Sequence, residues 1–518
     1  MFQPKKLLLL LLALVMVLTA FTACNNNDGN TDDSTESTST DGTTGGNGDT
    51  DDGTGSTEVV TDALQGVKFE GQQLSVLAWK PSNITEYEET FDENASVVEQ
   101  EVFNRCDLAQ TKLNVKIALW SEVAESDFMT QAELSHTGGG THDMFIARSN
   151  HANNLTTRGY LSNLLQKDYY LDWDHPAWPQ AFVEDCTISG KLYFCTGDIS
   201  TNLIFMTSVV FWNKDLVDDF SINDKIDEKY DYADLYDLAY EGKWTFDKMY
   251  ELATDVYRNT NTASGKDSGD TYGLITYRTI IENIFYGGGY KTVKVDDGVF
   301  SLTDEFMNAE LVGGVLQKAI DFFYETDFGF YATDATPHTT VMNIFGEGRA
   351  LFSMAPASHA YNTHSLQEDL NYSVLPIPKH TESQDTYYSV QSFPYCMYTI
   401  SSAAKNPAIT SAFMQALAQY SNELTRVALF DKMMKGRYSD DPEDADMWNM
   451  AIDANVFDIG RIFATSIGAK ESDQYTVMLL RDNFGNKNAN WQGTLSSYGR
   501  TTAQYVNAIT GKIALLPD

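Results

Sequence analysis

Between Leu74 and Ala147 the chain alternates between the period of a strand and the period of a helix, and that alternation leaves few folds open. Residues 74–79 form a short apolar run of strand length. Residues 97–110 have helical spacing, with Val98, Val102 and Cys106 on one face and Glu101 four residues ahead of Arg105. Val115, Ile117 and Leu119 alternate as a strand. A second helix is expected over 125–135, stopped by Gly138-Gly139-Gly140, and residues 144–147 read as a third strand. Strands joined through helices in this way imply a parallel sheet with right-handed crossovers. Such sheets bind ligands outside the carboxyl ends of their strands. Those ends are predicted at Trp79-Lys80, Trp120-Ser121 and Arg148-Ser149-Asn150, so Trp79, Trp120, Arg148 and Ser149 are the first candidate ligand contacts.

The rest of the chain continues the mixed pattern. A β-like stretch over 208–212 precedes Asn213-Lys214-Asp215-Leu216. Thr245 can cap a helix whose Phe246, Met249 and Ala253 share a face. A strand is expected over 272–277, and a helix over 279–286 ended by Gly287-Gly288-Gly289. Residues 306–324 read as one long amphipathic helix. Asn406 and Pro407 mark another helix start, and further helices are expected around 444–456 and 475–482. No fixed-period repeat is visible.

Charge excludes some partners. The chain carries a formal net charge of -38; setting aside two early lysines and ten acids in a polar N-terminal stretch, the remainder still holds about -30. Nucleic acid and anionic lipid both need basic patches, so neither is an expected partner. No cofactor is implied. The Cys186–Cys195 pair flanks an expected hairpin over 187–194, where it would sit diagonally at about 7–8 Å, beyond easy bridging. Buried thiols and a disulfide both stay open there, as for Cys106 and Cys396. No CxxC or paired Cys/His spacing exists, so no zinc site is expected. The acidic run Ser439–Asp444 lacks the spaced pattern of a calcium loop and reads as a solvated helix start.

The N-terminus reads as processing signal. Lys5 and Lys6 precede an apolar run, 7–18, too short to span a bilayer and suited to a secretory signal. Phe21-Thr22-Ala23-Cys24 resembles the lipobox of bacterial lipoproteins, with Phe where Leu is usual, which implies cleavage after residue 23 and lipidation of Cys24. A diacyl anchor holds a protein to a membrane stably. Residues 24–65 form an acidic Gly, Ser, Thr and Asn linker with no Lys, Arg or aromatic residue, a composition that cannot offset its ordering entropy.

Five further segments, in order, resemble the extracellular solute-binding proteins of the maltose-binding type (family 1). They are Gly140-Thr141-His142-Asp143-Met144-Phe145, Phe211-Trp212-Asn213-Lys214-Asp215-Leu216, Gly242-Lys243-Trp244-Thr245-Phe246-Asp247, Phe345-Gly346-Glu347-Gly348-Arg349-Ala350, and Tyr372-Ser373-Val374-Leu375-Pro376-Ile377-Pro378. The resemblance implies an α/β, two-lobe periplasmic-binding-protein-like fold (type II), each lobe a mixed, mostly parallel sheet flanked by helices. It places lobe one at 66–200 plus 350–398 and lobe two at 201–349 plus 399–518. Trp244 and Asn213 are expected to be structural. On lobe two, Tyr277, Arg278 and Tyr286 match the family's ligand-facing strand end and helix. Tyr361 stands where the family commonly has tryptophan.

By that resemblance the chain captures a sugar or oligosaccharide by hinge closure and delivers it to the permease subunits of an ABC importer, as a monomer held to the membrane only by its lipid anchor. Aromatic faces suit pyranose C–H groups, and charged side chains suit hydroxyls. No nucleophile elbow, zinc-protease helix, Walker loop or dinucleotide fingerprint is present, so no enzyme activity is expected. Another polar solute, a surface receptor without a transport role, and a surface glycan hydrolase are the alternatives.

Overall fold

The computed structural model describes residues 62–516 apart from 82–83, 263, 364–369, 435–441 and 467–475. The expected signal segment, Cys24 and the linker through residue 61 lie outside the described residues, as does most of the acidic run before Asp444. The last linker residues belong to the packed body instead. Leu64 is buried in the core, and Asp62 pairs with Lys112 at 2.7 Å.

The first sheet follows from the strand–helix alternation. β1 (Gln72–Trp79), α1 (Val97–Leu113), β2 (Val115–Val123), α2 (Glu125–Thr137) and β3 (Met144–Arg148) form two crossovers, after which α3 (Ser149–Thr157) begins at once. β1 lies between β2 and β3 and is parallel to both. Ser96 caps α1 through a reciprocal bond pair with Glu99, and Val98, Val102, Cys106 and Ala109 are buried beneath it. Asp143 secures the start of β3. Its carboxylate accepts from Ser75 N at 3.1 Å and Lys405 N at 2.9 Å. Gly140 has φ +78°, and a Cβ there would come within 1.9 Å of Ala403 O, so only glycine fits.

A second sheet holds β4 (Ser208–Asn213), β5 (Thr271–Tyr277), β6 (Gly329–Ala332), β7 (Ala350–Pro356) and β8 (Tyr372–Leu375). Its order is β8–β4–β7–β5, with β6 parallel beside β5 and Tyr257–Arg258 antiparallel to β5. Every residue of β4, β5 and β7 is buried, as expected for strands covered on both faces. Trp244 is fully buried and donates to Pro376 O at 3.0 Å. Thr245 caps α4 (Phe246–Ala253) by accepting from Lys248 N. Asn213 accepts from Asp215 N and Leu216 N. The structural roles expected of Trp244 and Asn213 hold.

Later come β9 (Ser389–Val390), β10 (Cys396–Ile400), α5 (Pro407–Tyr420), β11 (Asn455–Val456), α6 (Ile459–Ile462) and α7 (Thr476–Gly485). Strand pairing groups the segments differently from the expected lobes. β7 and β8 bond to β4 and belong to the second sheet. β10 pairs antiparallel with β3 in the first sheet, and α5 packs on α1 there. Segments near residues 206–208 and 389–392 run together between the sheets. Ser208 Oγ donates to Val390 O at 2.7 Å, Ser392 N to Met206 O at 2.7 Å, and β9 pairs with β11.

Four local expectations change. The long helix over 306–324 is two helices, Asp304–Met307 and Ala309–Glu325, because the Asn308 side chain accepts from Glu310 N and Leu311 N and starts the second. Asn406 occupies a cap position without a cap bond. Only Asn283–Tyr286 of the segment 279–286 is α-helix. The hairpin over 187–194 reduces to one bridge, Ile188 to Lys191. Cys106, Cys186, Cys195 and Cys396 are buried free thiols, so neither disulfide is formed. No helix among the described residues is long and apolar enough to cross a membrane.

Candidate functional site

Trp79 closes β1 and Arg148 closes β3, and because the strands are parallel both leave the sheet at its carboxyl end. The Arg148 guanidinium lies 5.9 Å from the Trp79 ring centroid and 2.5 Å from Glu125 on α2. Burial lowers Arg148 below the usual arginine range. Glu125 opposes that effect, and the like charge of Arg461 adds to it. On the second sheet, Tyr277 closes β5 and stacks on His359, just beyond β7, with centroids 6.2 Å apart and planes 5° from parallel. Burial, with a smaller push from His338, holds the His359 imidazole down to about 3, so it is neutral at physiological pH.

A buried charge cluster lies between these strand ends. Glu282, 1% exposed, receives Arg461 Nε and Arg481 Nε, each at 2.7 Å. Both guanidiniums face the Phe393 ring, at 3.8 Å for Arg461 and 5.3 Å for Arg481. Phe393 belongs to the segment linking β9 to β10, and its carbonyl accepts from Ser149 Oγ. Arg481 also reaches Thr279 O at 3.5 Å, two residues beyond Tyr277. The carboxyl ends of strands from both sheets thus converge on one arginine, glutamate and phenylalanine cluster held by a connecting segment.

No family model and no curated protein matches the sequence. Solved structures do match over most of the chain. A cyclo/maltodextrin-binding protein complexed with maltotetraose superposes with a TM-score of 0.52 at 15% identity, over 87% of this chain and 100% of that one. A cyclic alpha-maltosyl-1,6-maltose binding protein from Arthrobacter globiformis gives 0.52 at 12%, over 85% and 99%. A sugar transporter from Rhizobium etli, in an open conformation, gives 0.51 at 15%, over 85% and 100%. The chain has the two-lobe solute-binding fold.

The candidate site lies where strand ends of both sheets converge, and the structure places the expected residues unevenly around it. Trp79, Arg148 and Tyr277 belong to the cluster region. Trp79 is 5% exposed and has Arg148 over its ring, so in this conformation the ring offers no open stacking face. Arg278 is half-buried and pairs with Asp482 at 2.7 Å. Tyr361 is half-buried and meets Phe205 edge to face at 5.0 Å.

Three of the expected contacts are placed away from an open strand end or have their polar group engaged within the protein. Trp120 is not at a strand end, because β2 runs on to Val123; its ring stacks on Tyr87 at 4.4 Å. The Ser149 hydroxyl is committed to Phe393 O. Tyr286 is fully buried and donates to Asp458 at 2.7 Å, which leaves it no surface for a ligand in this conformation.

Glu282, His359, Phe393, Arg461 and Arg481 had gone unread in the sequence. One signal was available. Arg461 lies among Ile459, Ile462 and Phe463, and Arg481 follows Val477-Met478-Leu479-Leu480. An arginine within an apolar run is seldom left unpaired. Among the described residues no group of three or more His, Cys, Asp or Glu is placed to hold a metal ion.

Proposed function

We propose that this protein is the extracellular solute-binding component of an ABC importer, that it binds a sugar or oligosaccharide between two lobes, and that it has no catalytic role. The observation that carries this reading is the convergence of strand ends from both sheets, through Trp79, Arg148, Tyr277 and His359, on the Phe393 cluster. Similarity to proteins whose own ligands are maltotetraose and other saccharides supports it.

Lobe one is then built on β1, β2, β3 and β10 with α1, α2, α3 and α5, and lobe two on β4 to β8. The segments beside the β9–β11 ladder form the hinge. Cys24 is the lipid anchor, the polar stretch after it a tether on the outer face of the membrane, and the closed monomer docks on permease subunits.

A thermal-shift screen over mono- and oligosaccharides tests the reading. A ligand at 100 times its dissociation constant adds about 2.7 kcal/mol to stability. A shift with at least one saccharide, accompanied by compaction in solution scattering, is expected; no shift across a broad panel would refute it.

A further inference from the structure

Three of the chain's eleven arginines gather at these strand ends, and among the described residues they have few acceptors. Arg461 and Arg481 share one carboxylate, Glu282. Arg461 Nη2 lies 2.7 Å from Glu282 Oε1 but has no hydrogen-bond geometry to any described acceptor, although the side chain is only 3% exposed. Arg148 reaches only the half-exposed Glu125, through Nη1, and its Nε is buried without a partner. His151 also leans on Glu125, at 3.8 Å.

Two further described carboxylates of this region have partners of their own. Asp458 takes donors from Tyr286, Thr292 and Gly460, and Asp185 pairs with Lys291. The N-terminus of α3, which begins at Ser149, has no side-chain cap, and Asn150 Oδ1 and His151 Nδ1 beside it are buried without partners.

A guanidinium presents five donors in a fork that matches a planar or tetrahedral oxyanion. A neutral sugar supplies hydroxyl acceptors but cannot balance like-charged guanidiniums in a partly dry cleft. The body is strongly acidic and repels anions at long range, so cations concentrated here act within the screening distance of about 8–10 Å.

We infer that the saccharide taken by this cleft carries an oxyanion, a uronate carboxylate or a sulfate ester, bound by Arg148 and Arg461. The inference rests on the solute-binding reading above and names its substrate class.

Calorimetric titration of the folded protein tests it with four probes: an oligogalacturonate, the same oligosaccharide with its carboxylates reduced to alcohols, a sulfated disaccharide, and its desulfated form. The charged member of at least one pair should bind about tenfold or more tighter than its neutral counterpart, the size expected for charge-assisted hydrogen bonds. Preference in the first pair identifies a carboxylate and in the second a sulfate. Arg148→Gln should erase that preference, and Arg148→Lys should keep part of it. Because Arg461→Gln removes a buried charge and can fail to fold, the partly exposed Arg148 carries the test. Equal affinity for charged and neutral members would overturn the inference while leaving the solute-binding reading intact. Binding of neutral saccharides alone would do the same. If none of these probes and no other saccharide bound, both would fall.

Discussion

Two ion clusters are buried among the described residues, and they are built on opposite plans. In the first, Glu86 and Arg105 are both essentially unexposed and pair one to one at 3.0 Å. Arg105 also donates to Glu86 O, Ile199 O and Ser421 Oγ, while Glu86 accepts from Asn202 Nδ2, Thr201 N and the Tyr398 hydroxyl. That cluster ties α1 and β10 to the chain leaving the first sheet at residues 199–202. In the second, one carboxylate serves two guanidiniums, and an aromatic ring stands where a second carboxylate would be. A buried pair with its lone pairs filled is an anchor. A buried cluster short of acceptors among the described residues, at the ends of strands from both sheets, is on the reading proposed above a receptor for one.

Removing the carboxylates separates the plans most sharply. Glu86→Gln strands one buried guanidinium and Glu282→Gln strands two, so both should cost about 3–5 kcal/mol, with Glu282→Gln the larger. Urea unfolding measures both. A smaller loss for Glu282→Gln would mean that the second cluster is wetter than its burial indicates.

The arginines should reverse that order. Arg105→Met leaves Glu86 buried without a cation and should cost about 3–5 kcal/mol, whereas Arg481→Met leaves Glu282 still paired with Arg461 and should cost about 1–2 kcal/mol. Equal losses in the two unfolding curves would refute the claim that the second cluster holds a surplus cation.

Acid separates them next. Burial alone would raise the Glu86 carboxyl, but Arg105 together with donors from Asn202 and Thr201 outweighs it and holds the group below its ordinary value. A carboxylate lowered on folding stabilises the fold above its unfolded value, about 4.3, and that contribution is lost as pH falls through the lower folded value. The parent protein's urea midpoint should therefore fall more steeply below about pH 4 than that of Glu86→Gln, which lacks the contribution throughout. Parallel profiles would remove Glu86 from the acid response.

The contrast between the clusters also marks what the sequence makes legible. The first sheet's crossovers were readable because strand and helix periods alternate cleanly from Leu74 to Ala147, and the Thr245 cap and the packing of Trp244 are local signals. The placement of β7 and β8 was not, since joining one sheet or another depends on which edge is free, and periodicity carries no information about that. The break at Asn308 was written as an Asn before Glu310 and Leu311, a cap signal obscured by an apolar pattern that continues across it. At the candidate site, strand-end reasoning leads to Trp79, Arg148 and Tyr277, which the structure places beside the cluster. Glu282, Arg461 and Arg481 come from segments 179 and 199 residues apart in their pairings, and no local pattern announces such contacts. An aromatic near a strand end, such as Tyr286, looks the same in sequence whether its hydroxyl meets a ligand or Asp458.

The smallest expected effect tests the boundary between anchor and receptor. Arg278 and Asp482 lie 2.7 Å apart near the second cluster, but their side chains are 42% and 40% exposed. Solvent screens such a pair, so Arg278→Ala should change stability by no more than about 0.5–1 kcal/mol. Its effect on ligand affinity is the informative part. A residue on the rim of the receptor should weaken saccharide binding with the melting temperature nearly fixed, while a residue that only decorates the surface should change neither. A stability loss as large as that of Arg481→Met would place Arg278 inside the buried network, and the two-to-one plan of the second cluster would then need a third cation.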